Sequence, residues 1–140
     1  MDFGALGTAL VMGIAATGSA IGIGAAGQAA IGAWKKCYMV NKVAPFILTV
    51  FAGAPLTQTI YGFLLMQQMK SANADPAFHL GLVISAGIAM ALSAVAQGKA
   101  GAAGADALAE TGKGFSQYIT VVGLCETVAL FAMVFSMIVC

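Results

Sequence analysis

The chain has 140 residues, of which 61% are hydrophobic and only 8% are charged. Soluble domains carry about 25% charged residues, so this composition excludes a water-soluble globular protein and indicates an integral membrane protein. The formal net charge of +1 excludes a basic surface for nucleic acids. The three cysteines have no CxxC spacing, which favours small apolar packing roles over a disulfide framework or a zinc site.

Four long apolar stretches follow one another along the chain, at residues 4–33, 44–68, 77–108 and 116–139. A helix needs about 20 apolar residues to cross a bilayer. None of the stretches alternates with a period of two, so they are expected to be helices and not barrel strands. The N-terminus lacks the cationic region of a cleavable signal peptide, so the first stretch is expected to remain as a span. The sequence predicts an all-α membrane protein with four transmembrane helices.

The lysines predict the orientation of these spans. Four of them fall in the loops at 34–43 and 109–115, whereas Lys70 alone marks the opposite side. Because lysine is enriched in cytoplasmic loops, these two loops are expected in the cytoplasm and both termini outside. His79 and Asp75 lie near the outer loop and are expected to face water.

A glycine-rich run in the first span, Gly-Ile-Gly-Ala-Ala-Gly at 22–27, spells a dinucleotide-binding motif. That motif is meaningful only after a strand, at the start of a helix, and here it lies inside an apolar span. Gly18, Gly22 and Ala26 form a small-xxx-small row of the kind that lets membrane helices approach closely. We therefore interpret the glycines as packing residues.

The second half of the chain repeats the first. Residues 93–101 repeat the pattern of 19–27, and 126–131 repeat the pattern of 58–63. The repeat predicts two fused, duplicated helical hairpins. The first covers residues 1–68, an outer loop covers 69–76, and the second hairpin covers 77–140.

The two copies differ at two informative positions. Gln97 stands where the first copy has Ile23, and Glu126 stands where it has Gln58. Glu126 lies near the middle of its span, where a charge costs about 2.5–3.5 kcal/mol or more, so an ionisable residue there is a functional candidate by default. The plainer interpretation is a protonated glutamic acid that only holds helices together.

The second span carries a polar run of its own. Thr57, Gln58 and Tyr61 are spaced to share one helix face, and Pro55 frees carbonyl oxygens in the preceding turn. Each of these side chains alone could simply form hydrogen bonds between neighbouring helices.

With Gln97 and Glu126, the polar run supplies only oxygen ligands, which hard cations prefer. If the residues converge they form a cage for an alkali cation. A proton needs only the carboxylate and one acceptor, so several oxygens favour Na⁺ over H⁺.

The sequence resembles the membrane-ring proteolipid of V/A-type rotary ATPases, known as the K subunit, over essentially its whole length. The resemblance rests on the glycine-rich first helix and three motifs: Pro-Leu-Thr-Gln-Thr-Ile-Tyr-Gly-Phe at 55–63, Ala-Gln-Gly-Lys-Ala-Gly at 96–101 and Glu-Thr-Val-Ala-Leu-Phe at 126–131. In sodium-translocating members the matching positions hold the ion. The resemblance therefore implies a Na⁺ site made by the side chains of Glu126, Gln97, Gln58 and Thr57 and the backbone carbonyl of Ala54. It also implies a hydrogen bond from Tyr61 to the glutamate.

The resemblance also implies the partners and the setting. It implies a non-catalytic subunit that forms a homo-oligomeric ring in the lipid bilayer of a bacterial or archaeal cell membrane. A stator subunit would supply an arginine, a central stalk would contact the cytoplasmic loops, and a separate head would hydrolyse or make ATP. This chain itself would bind no nucleotide.

Three other interpretations stand beside this one. The same ring role with H⁺ as the coupling ion is the nearest. A small four-helix multidrug antiporter would carry its essential glutamate in the first helix, where this chain has only Asp2, and would show no duplicated hairpin. A purely structural four-helix protein would have no need of Glu126 beside the other polar residues.

Overall fold

The computed structural model describes residues 3–140, and its long helices number four. They are α1 (Phe3–Met39), α2 (Leu48–Met69), α3 (Pro76–Thr111) and α4 (Phe115–Val139). Each is long and apolar enough to cross a membrane. The predicted all-α class is confirmed, since the described residues contain helices and connecting turns but no strand. Asp2 and the predicted start of the first hairpin at residue 1 lie outside the described residues.

Helix α1 continues beyond the predicted end of the first span. We expected a loop from residue 34, but the helix runs on to Met39. The stretch contains no glycine or proline to stop it, and its exposed Lys36 gains partners on α3. Lys36 Nζ lies 2.9 Å from Asp106 Oδ1 and 3.1 Å from Glu110 Oε1. The lysines that mark the end of the apolar region therefore do not mark the end of the helix.

Helix α2 contains one tighter turn, a 3₁₀ segment over Ala54–Leu56. Pro55 has no N–H, so the carbonyl of Phe51 cannot receive its α-helical hydrogen bond from residue 55. The carbonyl of Ala54 instead accepts the backbone N–H of Thr57. This 3₁₀ turn lies directly before the polar residues of α2, which begin at Thr57.

Helices α1 and α3 form a closely packed inner pair. A Cβ atom added at Gly18 would collide with the backbone of Ala91, and one added at Gly98 would collide with the backbone of Gly22. The predicted packing role is visible at Gly18 and Gly22, because two backbones can approach this closely only where side chains are absent. A Cβ atom added at Gly24 or Gly27 would meet no atom within 4 Å, so the role of these two glycines stays a prediction. Helices α2 and α4 lie outside this pair, with large apolar side chains such as Leu124 and Phe131 exposed.

The outer end of α3 corrects one expectation. Asp75 is exposed and caps the helix, its carboxylate accepting the backbone N–H groups of Ala77 at 3.0 Å and Phe78 at 3.1 Å. His79, however, does not face water: it is 4% exposed, and its Nε2 lies 3.0 Å from Thr8 Oγ1 of α1. One turn into α3, this residue lies on the face that packs against α1.

Candidate ion site

Glu126 lies partly buried on α4 and accepts hydrogen bonds at both carboxylate oxygens. The hydroxyl of Tyr61 donates to Oε1 at 2.6 Å. The amide Nε2 of Gln97 donates to Oε2 at 3.3 Å. A charged acceptor strengthens such bonds. The carboxylate is thus held between α2 and α3 by one donor from each.

Two buried glutamines continue the network inward. Gln58 and Gln97 are 0% and 1% exposed. Gln58 Nε2 donates to Gln97 Oε1 at 2.8 Å, and Gln97 Nε2 also donates to the carbonyl of Val122 at 3.1 Å. Buried amides without partners would each cost about 1–3 kcal/mol. The glutamines therefore hold each other in one arrangement, with α2, α3 and α4 joined through them.

Three oxygens of α2 lie together at the tight turn. Thr57 Oγ1 lies 3.1 Å from the carbonyl oxygen of Ala54 and 3.2 Å from Gln58 Oε1. The Ala54 carbonyl lies in the 3₁₀ turn at Pro55, three residues before Thr57, and also accepts the backbone N–H of Thr57. The result is a cluster of a carbonyl, a hydroxyl and an amide oxygen.

One connected network includes all six residues that the sequence singles out. It runs from the Ala54 carbonyl through Thr57, Gln58 and Gln97 to Glu126, and Tyr61 joins it at the far oxygen of the carboxylate. The residues come from three different helices. Their roles as ion ligands stay a prediction.

Ser93 also belongs to the network, although the sequence motifs did not single it out. Its hydroxyl donates to the carbonyl of Cys125 at 2.6 Å, and Gln58 Nε2 lies 3.4 Å from its Oγ. Ser93 lies one helical turn before Gln97, and this spacing could have indicated that both face the same way. The carbonyls of Val122 and Cys125 join the network too, and no side-chain pattern could have revealed a backbone contribution.

The donor set favours a monovalent cation chemically. The network holds one carboxylate, and its other oxygens belong to neutral amide, hydroxyl and carbonyl groups. A single positive charge beside Glu126 would leave the site neutral, whereas a divalent ion would leave a net charge inside an apolar bundle. Oxygen-only coordination suits a hard ion.

Residues 80–139 match the family model that describes the C subunit of ATP synthase. A curated relative, the A-type ATP synthase subunit K of Methanocaldococcus jannaschii, is 37% identical over 139 residues, which is 96% of this chain. The family match therefore covers the second hairpin, and the curated relative is similar to the chain nearly throughout. The matched residues include most of α3 and all of α4, so Ser93, Gln97 and Glu126 lie within the family's own region.

The chain spans 60% of the length of that curated relative. The similarity takes in both hairpins, because it leaves only a small fraction of the chain uncovered. The four apolar helices and the family match over residues 80–139 together indicate an integral membrane protein.

Proposed function

We propose that this chain is one copy of a homo-oligomeric rotor ring in a V/A-type ATPase or ATP synthase, and that it carries Na⁺ across the membrane. The observation that carries the proposal is the network around Glu126, in which an intramembrane carboxylate faces neutral polar groups from α2 and α3. The family match over residues 80–139 and the similarity to a curated subunit K support the ring role. The oxygen cluster at Ala54, Thr57 and Gln58 supports the choice of ion.

The proposed cycle uses Glu126 as the group whose charge is switched. An ion from one side neutralises the carboxylate, and the neutral site then moves past lipid at low cost because no net charge enters the hydrocarbon. The ion leaves toward the other side when the site meets the stator. A cation in the stator would balance the empty carboxylate. This chain contains no arginine, so a partner subunit would have to supply one.

The chain's own part in this cycle is binding and carrying, not catalysis. ATP would be made or hydrolysed in a separate head, coupled through a central stalk that contacts the hairpin ends at residues 34–43 and 109–115. Gln58 stands at the repeat position of Glu126, so each four-helix copy would carry one ion. With fewer ions per turn, each ion receives more of the free energy of ATP, which suits a pump that works against a steep gradient.

Sodium is favoured over protons because the network is larger than a proton requires. A proton would need only the carboxylate and one acceptor. The Tyr61 hydroxyl donates to Glu126 here, and a hydroxyl oxygen can also accept, so it would serve as that acceptor once Glu126 is protonated. The two buried glutamines and the oxygen cluster of α2 would then have no part in ion binding. Proton translocation by the same ring is the alternative.

Carbodiimide labelling tests the choice of ion. The reagent modifies protonated carboxyl groups, so a bound cation at Glu126 should protect it. We expect millimolar Na⁺ at neutral pH to slow labelling of Glu126 in the assembled protein, while the same concentration of choline does not. Equal labelling of Glu126 in both salts would overturn the sodium proposal and leave the proton alternative.

A further inference from the structure

We infer that Ser93 is a positioning residue for the proposed Na⁺ site, and that it holds the amide of Gln58 with its carbonyl oxygen toward the ion. The inference rests on the proposed function. Ser93 contributes no ligand of its own in this arrangement. It acts through Gln58 and through the α4 backbone next to Glu126.

The hydroxyl of Ser93 can only accept a hydrogen bond from Gln58. Ser93 is buried, and its single hydroxyl hydrogen is committed to the Cys125 carbonyl at 2.6 Å. Its remaining lone pairs face Gln58 Nε2 at 3.4 Å. Because a hydroxyl has one hydrogen to give, an amide oxygen in place of that nitrogen would find no donor here.

The amide of Gln58 therefore has both of its N–H groups assigned. One lies toward Gln97 Oε1 at 2.8 Å and the other toward Ser93 Oγ. The carbonyl oxygen of Gln58 is left on the side of Thr57, 3.2 Å from its hydroxyl. That is the side on which the oxygens of α2 cluster.

Ser93 becomes more important once an ion is bound. A cation bound at the oxygen of Gln97 would compete with the N–H of Gln58, because a metal ion and a hydrogen-bond donor both bind the lone pairs of that oxygen. The Ser93 oxygen would keep its acceptor role, since its own hydrogen stays with Cys125. Ser93 would then be the acceptor that keeps the Gln58 oxygen directed at the ion.

The repeat supplies a matched control for this residue. Ser19 occupies the position of Ser93 in the first hairpin. It is buried like Ser93, but its hydroxyl has no hydrogen-bond partner within residues 3–140. Ser19→Ala therefore removes the same atom from a similar environment without touching the network.

The experiment measures the Na⁺ concentration that gives half-maximal protection of Glu126 from carbodiimide in the wild type, Ser93→Ala and Ser19→Ala. Loss of groups that orient metal ligands typically weakens affinity by about 10–100-fold. We expect Ser93→Ala to need about tenfold more Na⁺ and Ser19→Ala to match the wild type. The pH profile of Glu126 labelling without Na⁺ should be the same in all three, because Ser93 does not contact the carboxylate.

The outcomes separate this inference from the proposed function. Protection of the wild type and of Ser93→Ala at the same Na⁺ concentration would overturn the inference and leave the sodium function standing. A shift of equal size in Ser19→Ala, or a displaced pH profile in Ser93→Ala, would identify general damage to packing and would also overturn it. Absence of Na⁺ protection in the wild type would overturn both.

Discussion

The hydroxyl of Tyr61 lies 2.6 Å from Oε1 of Glu126, a shorter contact than the 3.3 Å between Gln97 Nε2 and the other carboxylate oxygen. This bond joins α2 to α4. Tyr61 therefore occupies Oε1 of Glu126 with a hydrogen bond that forms without an ion. The other carboxylate oxygen, Oε2, faces Gln97.

We predict that Tyr61→Phe weakens Na⁺ binding about tenfold. A hydrogen bond to a charged group contributes about 1.5–3 kcal/mol, and the lower end applies because Tyr61 is only partly buried. The measurement is the Na⁺ concentration for half-maximal protection of Glu126. Tyr38→Phe is the matched control, since Tyr38 is exposed at the end of α1 and takes no part in the network. An unchanged Na⁺ requirement in Tyr61→Phe would remove Tyr61 from the site.

We predict that Gln97→Ile, which copies Ile23 of the first hairpin, impairs Na⁺ binding while the ring still assembles. The substitution removes an amide that bridges Gln58, Val122 and Glu126. Native electrophoresis would check assembly, and carbodiimide protection would check binding. Gln67→Ile, at an exposed position of α2, controls for the change of side-chain type. Sodium protection at wild-type concentrations would exclude Gln97 as a ligand.

We predict that Gly22→Ala destabilises the protein and that Gly24→Ala does not. A Cβ atom at Gly22 would collide with the Ala94 carbonyl, whereas one at Gly24 has no atom within 4 Å. Overpacking typically costs about 1–3 kcal/mol, and alanine is the better helix former where space is free. Thermal unfolding of the purified proteins in detergent measures the difference. Equal stability of the two variants would contradict the close packing of α1 on α3.

We predict that Thr8→Val loosens the outer end of the bundle. The hydroxyl of Thr8 donates to the carbonyl of Gly4 at 2.8 Å, so His79 Nε2 must donate to Thr8. Valine has the same shape but leaves that buried N–H without an acceptor, at a cost of about 1–3 kcal/mol. Thermal unfolding should show the loss. Thr120→Val, at an exposed position of α4, should have little effect, and a comparable loss there would contradict the role of the His79 contact.

Composition and periodicity were enough to predict the all-α class and the four helices, because crossing a bilayer leaves so few structural options. The end of α1 was predicted wrongly, since hydropathy reports where lipid ends and not where a helix ends. Helix α1 continues past these lysines to Met39, and Lys36 pairs with Asp106 and Glu110 of α3. His79 was predicted wrongly because a position close to a loop says nothing about the face on which a side chain lies.

The candidate site was also predictable from the sequence only in part. Glu126, Gln97 and Tyr61 could be identified from the sequence. Polar groups are costly in an apolar span, so each such residue indicates a functional or packing role. The spacing of Ser93 could have placed it on the same helix face as Gln97, but it could not have indicated a role, since serine is also a common packing residue among glycine and alanine. Its role depends on the direction of a single hydroxyl hydrogen, which only the surrounding acceptors determine.

Every side chain of the candidate site comes from α2, α3 and α4 of the same chain. In the proposed ring, each copy would therefore supply all six predicted ligand and supporting residues from its own helices. A copy with a damaged Glu126 would lose its own site and leave the others intact. Mixed assemblies of intact and damaged chains would then reveal whether transport fails one site at a time or whether one inactive copy stops the whole rotor.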